Sequence, residues 1–107
     1  MPLFELRQYQ AQPGKRDQLV RFMEEVIIPF QLSKGMVVVA SFVGEEDEDT
    51  FVWIRRFDDE VQRKELYESV YESDYWKTEV APKVPEFNQR EKAVVTRLLP
   101  TSTSNLQ

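Results

Sequence analysis

The residues best suited to chemistry lie near the start of the chain. Glu5, Arg7 and Tyr9 occupy every second position, which in an extended strand puts all three on one face. A guanidinium presents a planar fork of donors to a carboxylate or an enolate. Beside it, Tyr9 would donate a proton or stabilise an oxyanion, and Glu5 would act as base if burial raises its pKa. These three are the candidate catalytic residues. Trp53, Arg55 and Arg97 sit in two later apolar runs. If they reach the same interior, they join Arg7 as substrate-binding residues and add a stacking wall and two cations. Such a set suits proton transfer, isomerisation, cyclisation or cofactor-free oxidation of an enolisable substrate. The plainer alternative makes Glu5 and Arg7 a cross-strand ion pair, Tyr9 a half-buried core residue, and Trp53 and Trp76 core or interface anchors. Arg55 and Arg56 are neighbours in a strand, so at most one of them faces a pocket.

Missing residue types narrow the chemistry further. The chain has no cysteine and no histidine. That removes the thiolate nucleophile, the disulfide framework, the usual neutral-pH base and the commonest metal ligand. It also removes an imidazole haem ligand and any Ser-His-Asp arrangement, and no cofactor is expected. The acidic run Glu45-Glu46-Asp47-Glu48-Asp49 lacks the glycine and ligand spacing of an EF-hand loop and reads as a solvated connection. Acidic residues outnumber basic ones 19 to 14, for a net charge of -5. A nucleic-acid binder would show a basic face instead, and an anionic membrane surface would repel this chain. No apolar run reaches the length of a membrane span, and Met1 to Arg7 does not resemble a signal peptide. The expected location is cytoplasmic.

The elements that must position these residues follow from periodicity. Leu3 to Gln10 alternates as a strand, and Pro13-Gly14 turns the chain. Leu19, Phe22, Met23, Val26, Ile27 and Phe30 make one apolar stripe of a helix over Lys15 to Gln31. Pro29 should bend or end its last turn, with Gly35 as a stop. Met36 to Gly44 and Phe51 to Phe57 are rich in β-branched and aromatic residues and pair as a hairpin across the acidic run. Asp58 or Asp59 caps a second helix with Leu66, Tyr67 and Val70 on its apolar side and Tyr71 at the edge. Ser73 and Asp74 start a further helical stretch that Pro82 and Pro85 break into short turns. Ala93 to Leu99 is the last strand. Residues 1–100 form one domain, and 101–107 a polar tail.

The order β-α-β-β-α-β is the ferredoxin-like, α+β pattern: a four-stranded antiparallel sheet with helices on one face. Its second face is also apolar and needs a cover. A second copy, packed sheet to sheet in a two-fold dimer, is the simplest one. The candidate pocket is placed inside that barrel, between the sheets.

Five stretches carry a family resemblance: Glu5-Leu6-Arg7-x-Tyr9 with Pro13-Gly14, Gly35-Met36, Phe51 to Asp59, Ser73-Asp74-Tyr75-Trp76-Lys77 with Pro82, and Val94 to Thr101. In this order and spacing the chain resembles the NIPSNAP family. The resemblance implies a homodimeric α/β barrel with ferredoxin-like protomers and a possible small-molecule ligand. It implies no particular reaction, and a non-catalytic binding or adaptor module is the competing reading.

Overall fold

The computed structural model describes residues 1–107. Four strands, β1 (Leu3–Gln10), β2 (Val37–Val43), β3 (Thr50–Phe57) and β4 (Val94–Leu98), form one sheet in the order β2-β3-β1-β4. Every neighbouring pair is antiparallel, as the ferredoxin-like order requires. The β1–β3 register sets Glu5 opposite Arg55, Arg7 opposite Trp53 and Tyr9 opposite Phe51. Directly opposed residues share a face, so this register assembles the candidate residues on one side of the sheet.

That side is the one the helices cover. A helical rod over residues 16–33 consists of α1 (Arg16–Phe22), a π-helical turn (Met23–Ile27) and α2 (Ile28–Ser33). Its stripe of Leu19, Met23 and Ile27 packs with Tyr9, Phe51, Trp53 and Val80 into the larger core cluster. Pro29 was expected to bend or end the helix. The rod instead continues to Ser33, and a π turn lies immediately before the proline-bearing segment. Proline offers no N–H, and a wider π turn relaxes the usual backbone ladder where that bond is lost. The rod stops at Gly35, whose φ of +102° lets Met36 N–H bond the Gln31 carbonyl and Gly35 N–H the Leu32 carbonyl, a Schellman closure.

The second helix, α3 (Glu60–Tyr71), starts at Asp59, whose carboxylate accepts from Gln62 N–H at 2.8 Å. Leu66, Tyr67 and Val70 pack with Phe57, Leu3 and Met36 in a smaller core cluster. After Ser73, whose hydroxyl accepts from Trp76 N–H, the chain runs through a π turn (Trp76–Val80), a 3-10 turn (Ala81–Lys83) and α4 (Val84–Phe87). The prolines produce this broken path, as expected. No helix is long and apolar enough to cross a membrane.

The opposite face carries Leu6, Val52, Ile54 and Ala40 at its centre, with Val37, Phe42, Val94 and Leu98 exposed around them. No helix covers it. A bulge at Val39 shifts the β2 register between Val38 and Ala40 and lets Val37, Ala40 and Phe42 share this face. Arg56 points here too. It pairs with Asp58 at 2.6 Å and donates to the Gln107 main-chain oxygen at 2.6 Å, so residues 101–107 turn back toward β3.

Candidate functional site

Glu5, Arg7, Tyr9, Trp53 and Arg55 all lie between the sheet and the helices, not on the free face. The expectation of a pocket between two sheets therefore needs correction. Even-numbered positions of β1 and β3 point to the free face, and every candidate on these two strands is odd-numbered. Two distinct clusters result.

The first surrounds Glu5, which is fully buried. Its carboxylate accepts from Arg55 Nη2 at 2.6 Å, Arg63 Nε at 2.8 Å and the Tyr67 hydroxyl at 2.6 Å, with Arg7 Nη1 at 3.7 Å. Arg55, also fully buried, donates further to Gln31 Oε1 (2.9 Å), the Tyr71 hydroxyl (2.7 Å) and the Tyr67 hydroxyl (2.8 Å). Its guanidinium lies 4.9 Å from the Trp53 ring. Burial pushes the Glu5 pKa upward. The Arg55 charge and the hydrogen bonds from Tyr67, Arg63 and Arg55 outweigh it, so the carboxyl is held below its ordinary value. The raised pKa that a Glu5 base requires is not what this environment produces. Tyr67 keeps its proton: burial raises its pKa against the Arg55 charge, and its bond to Glu5 adds to the rise.

Arg97 faces the same side as Glu5 across the β1–β4 ladder, but it is half-exposed and pairs with Glu60 at the start of α3. It does not line the cavity. Glu60 also pairs with Arg63. Four guanidiniums thus share two carboxylates, so within this cluster positive charge is in excess.

The second cluster is a cavity of about 270 Å³ beside the first. Arg7, Tyr9, Trp53 and Gln31 bring polar groups to its lining, and Leu19, Phe22, Met23, Ile27, Trp76 and Val84 make much of its apolar wall. Arg7 Nε donates to the Tyr9 hydroxyl at 2.9 Å, which orients the guanidinium. Its Nη2 donates to no protein atom, and the side chain keeps 18% exposure. Burial works against the Arg7 charge, but Tyr9 and Tyr71 nearby work for it and hold the pKa above its ordinary value. Nη1 donates to the Tyr67 hydroxyl at 3.4 Å, so Arg7 is a held cation on the cavity lining with Nη2 alone lacking a protein partner. Exposed Arg90, in no ion pair, and buried Asn88 also line it. No Asp, Glu or Lys lines the cavity.

Of the sequence candidates, Arg7, Tyr9 and Trp53 meet in the cavity, Glu5 and Arg55 form the ion-pair cluster beside it, and Arg97 stays outside. Sequence reasoning missed Gln31, Tyr71, Asn88 and Arg90. Gln31 had a signal: it falls four residues after Ile27 on the apolar stripe, where a polar side chain demands a partner. Tyr67 and Tyr71 are four apart on one helix face, which aims both hydroxyls at β3. Asn88 and Arg90 follow a helix break and show no periodic signal.

No functionally curated protein matches the chain. Among solved structures, the fold is similar to a NIPSNAP family protein from Agrobacterium tumefaciens, 20% identical over 100% of both chains, with a TM-score of 0.86. A second NIPSNAP family protein of unknown function from the same organism is 21% identical, covering 99% of this chain and 94% of its own, with a TM-score of 0.87. An uncharacterized NIPSNAP domain protein from Burkholderia xenovorans is 14% identical over 95% and 97%, with a TM-score of 0.83. The NIPSNAP family model matches residues 4–104. That match spans nearly the whole chain, and the chain belongs to the NIPSNAP family.

Proposed function

We propose that this protein is a homodimer in which each protomer binds a small, largely apolar organic anion in the cavity between its sheet and its helices. Arg7 carries the reading: a charged guanidinium, held by Tyr9, with Nη2 unpartnered at the wall of a mostly apolar cavity. Such a group binds a carboxylate or an enolate oxygen through charge-assisted hydrogen bonds. The volume sets the size. A cavity of about 150 Å³ takes a benzene, so 270 Å³ suits a ligand of roughly two fused rings or an equivalent branched chain. The excess of arginine next door favours entry of a negative charge.

The same geometry supports a catalytic reading for an enolisable substrate, in which Arg7 and Tyr9 stabilise an enolate oxygen. Proton abstraction then lacks an evident base, because Glu5 is engaged by Arg55, Arg63 and Tyr67 and no carboxylate lines the cavity. Binding is the better supported function. Dimerisation rests on the free sheet face, where Leu6, Val52 and Ile54 sit amid exposed Phe42, Val37, Val94 and Leu98. A contiguous apolar patch of this kind marks an interface.

A thermal-shift screen of neutral and anionic small aromatics tests the binding reading. Anions should raise the melting temperature by mass action and their neutral amides should not; equal shifts, or none, would reject it. Light scattering tests the dimer, with a monomer mass at micromolar protein as the contrary result.

A further inference from the structure

The chain carries 19 acidic and 14 basic residues, yet its cavity is lined by two guanidiniums, Arg7 and Arg90, and by no carboxylate. The two cations come from separate segments. Arg7 is in β1, and Arg90 opens the 3-10 turn (Arg90–Lys92) that follows α4. Arg7 spends part of its bonding capacity within the protein, on the Tyr9 and Tyr67 hydroxyls. Its Nη2 has no protein partner. The buried side-chain atoms without a partner are Trp53 Nε1 and Asn88 Oδ1; Arg7 Nη2 is not one of them, so it touches open space. Arg90 is exposed and forms neither an ion pair nor a side-chain hydrogen bond, which leaves all five of its N–H donors open. Asn88 Nδ2, two residues earlier, also donates to no protein atom and is not sealed from open space.

The acceptors on the same lining are already occupied. Gln31 Oε1 and the Tyr71 hydroxyl take bonds from Arg55, and the Tyr9 hydroxyl takes one from Arg7. What the cavity offers is therefore donors, and two positive charges without a negative one. A ligand with a single carboxylate on Arg7 would leave Arg90 unanswered. A neutral acceptor could take bonds from Arg90 but would not balance its charge, and the two cations would still repel each other. A second carboxylate does both, since it accepts from a guanidinium through charge-assisted bonds. Resting on the reading of the cavity as an organic-anion site, we propose that its ligand is a dianion, an apolar ring or chain bearing two carboxylates. One carboxylate engages Arg7. The second engages Arg90, with Asn88 Nδ2 as a further donor, and the apolar middle lies against Leu19, Phe22, Met23 and Trp76.

The test compares 2-naphthoate with the naphthalene dicarboxylates that add a second carboxylate to it, and with the methyl half-esters that mask that second group. Titration calorimetry at low ionic strength reads the ratio of affinities, diacid over plain acid, within each protein. The isomers span a range of spacings between the two carboxylates. In the unmodified protein at least one diacid should bind about threefold to tenfold more tightly than 2-naphthoate; the gain is modest because Arg90 is exposed and its charge is partly screened. The half-ester of that diacid should lose the gain, and in Arg90→Gln the ratio should fall to about one. Arg90 has no protein partner, so thermal melts of the variant should match those of the unmodified protein. Binding of 2-naphthoate with no gain from any diacid would overturn the dianion assignment and leave the anion site standing. A gain that survives in the half-ester, or in Arg90→Gln, would overturn it too. If no acid binds at all, the anion site itself fails, and this assignment with it.

Discussion

Two polar clusters lie side by side on the covered face of the sheet, and they are built on different terms. Around Glu5 the carboxylate is saturated by Arg55, Arg63 and Tyr67, and Arg55 finds partners in Gln31 and Tyr71. Around Arg7, two residues further along β1, the pairing is incomplete: Nε bonds the Tyr9 hydroxyl and Nη1 the Tyr67 hydroxyl, while Nη2 has no protein partner and the side chain lines the cavity. The first arrangement is what a buried charge needs in order to be tolerated at all. The second retains the capacity to recognise something else. Residue type alone does not separate a structural arginine from a binding one; the count of its partners does.

The largest effect that would break this comparison is on stability at the saturated cluster. Glu5→Gln leaves the fully buried Arg55 without its counter-ion and should cost about 3–5 kcal/mol in urea unfolding, the range for breaking a buried pair from one side. A loss under about 1 kcal/mol would show that the cluster is not an interdependent network. The same carboxyl sets an acid limb. Its folded pKa lies below its ordinary value of 4.5, so its contribution is fully present above that value and is lost as pH falls through the lowered folded one. Unfolding midpoints followed from about pH 7 to about pH 3 should decline at the acid end, and less so in Glu5→Gln.

Next comes Arg7→Ala, which should weaken an aromatic acid by about 10- to 100-fold, the worth of a charge-assisted hydrogen bond. It should destabilise the fold less than Glu5→Gln does, because Arg7 lies 3.7 Å from an already saturated carboxylate. If Arg7→Ala unfolds the protein as readily as Glu5→Gln, the two clusters are one. Asp59→Ala, at a residue whose side chain bonds neither Glu5 nor Arg7, should cost about 1 kcal/mol through loss of the α3 cap, readable in thermal melts without change in ligand affinity. Smallest of all, Arg97→Ala should change stability by under about 1 kcal/mol, since its pair with Glu60 is half-exposed. Calorimetry should show no loss of binding; a tenfold loss would return Arg97 to the site.

Much of the fold was legible in the chain. Strict alternation in Leu3 to Gln10, the apolar stripe from Leu19 to Phe30 and the β-branched run at Val37 report local periods, and local periods survive into the structure. Pro29 was the exception, because a π turn is a backbone adjustment that no side-chain pattern announces. The site was legible by half. Alternation grouped Glu5, Arg7 and Tyr9 on one face, and the β1–β3 pairing brings Trp53 and Arg55 to them. Which side of the sheet they faced was not readable, because a sheet apolar on both faces gives no sign of where its helices land. Asn88 and Arg90 depend on the broken path after Pro85, and only tertiary structure brings that path over the cavity mouth.

The most direct measurement titrates 2-naphthoate and its neutral amide into the unmodified protein and into Arg7→Ala by calorimetry. The expected result is saturable binding of the acid, weakened by about tenfold or more in Arg7→Ala, with the amide indifferent to the substitution. Equal affinity of the acid for both proteins, or preference for the amide, would contradict an anion site built on Arg7.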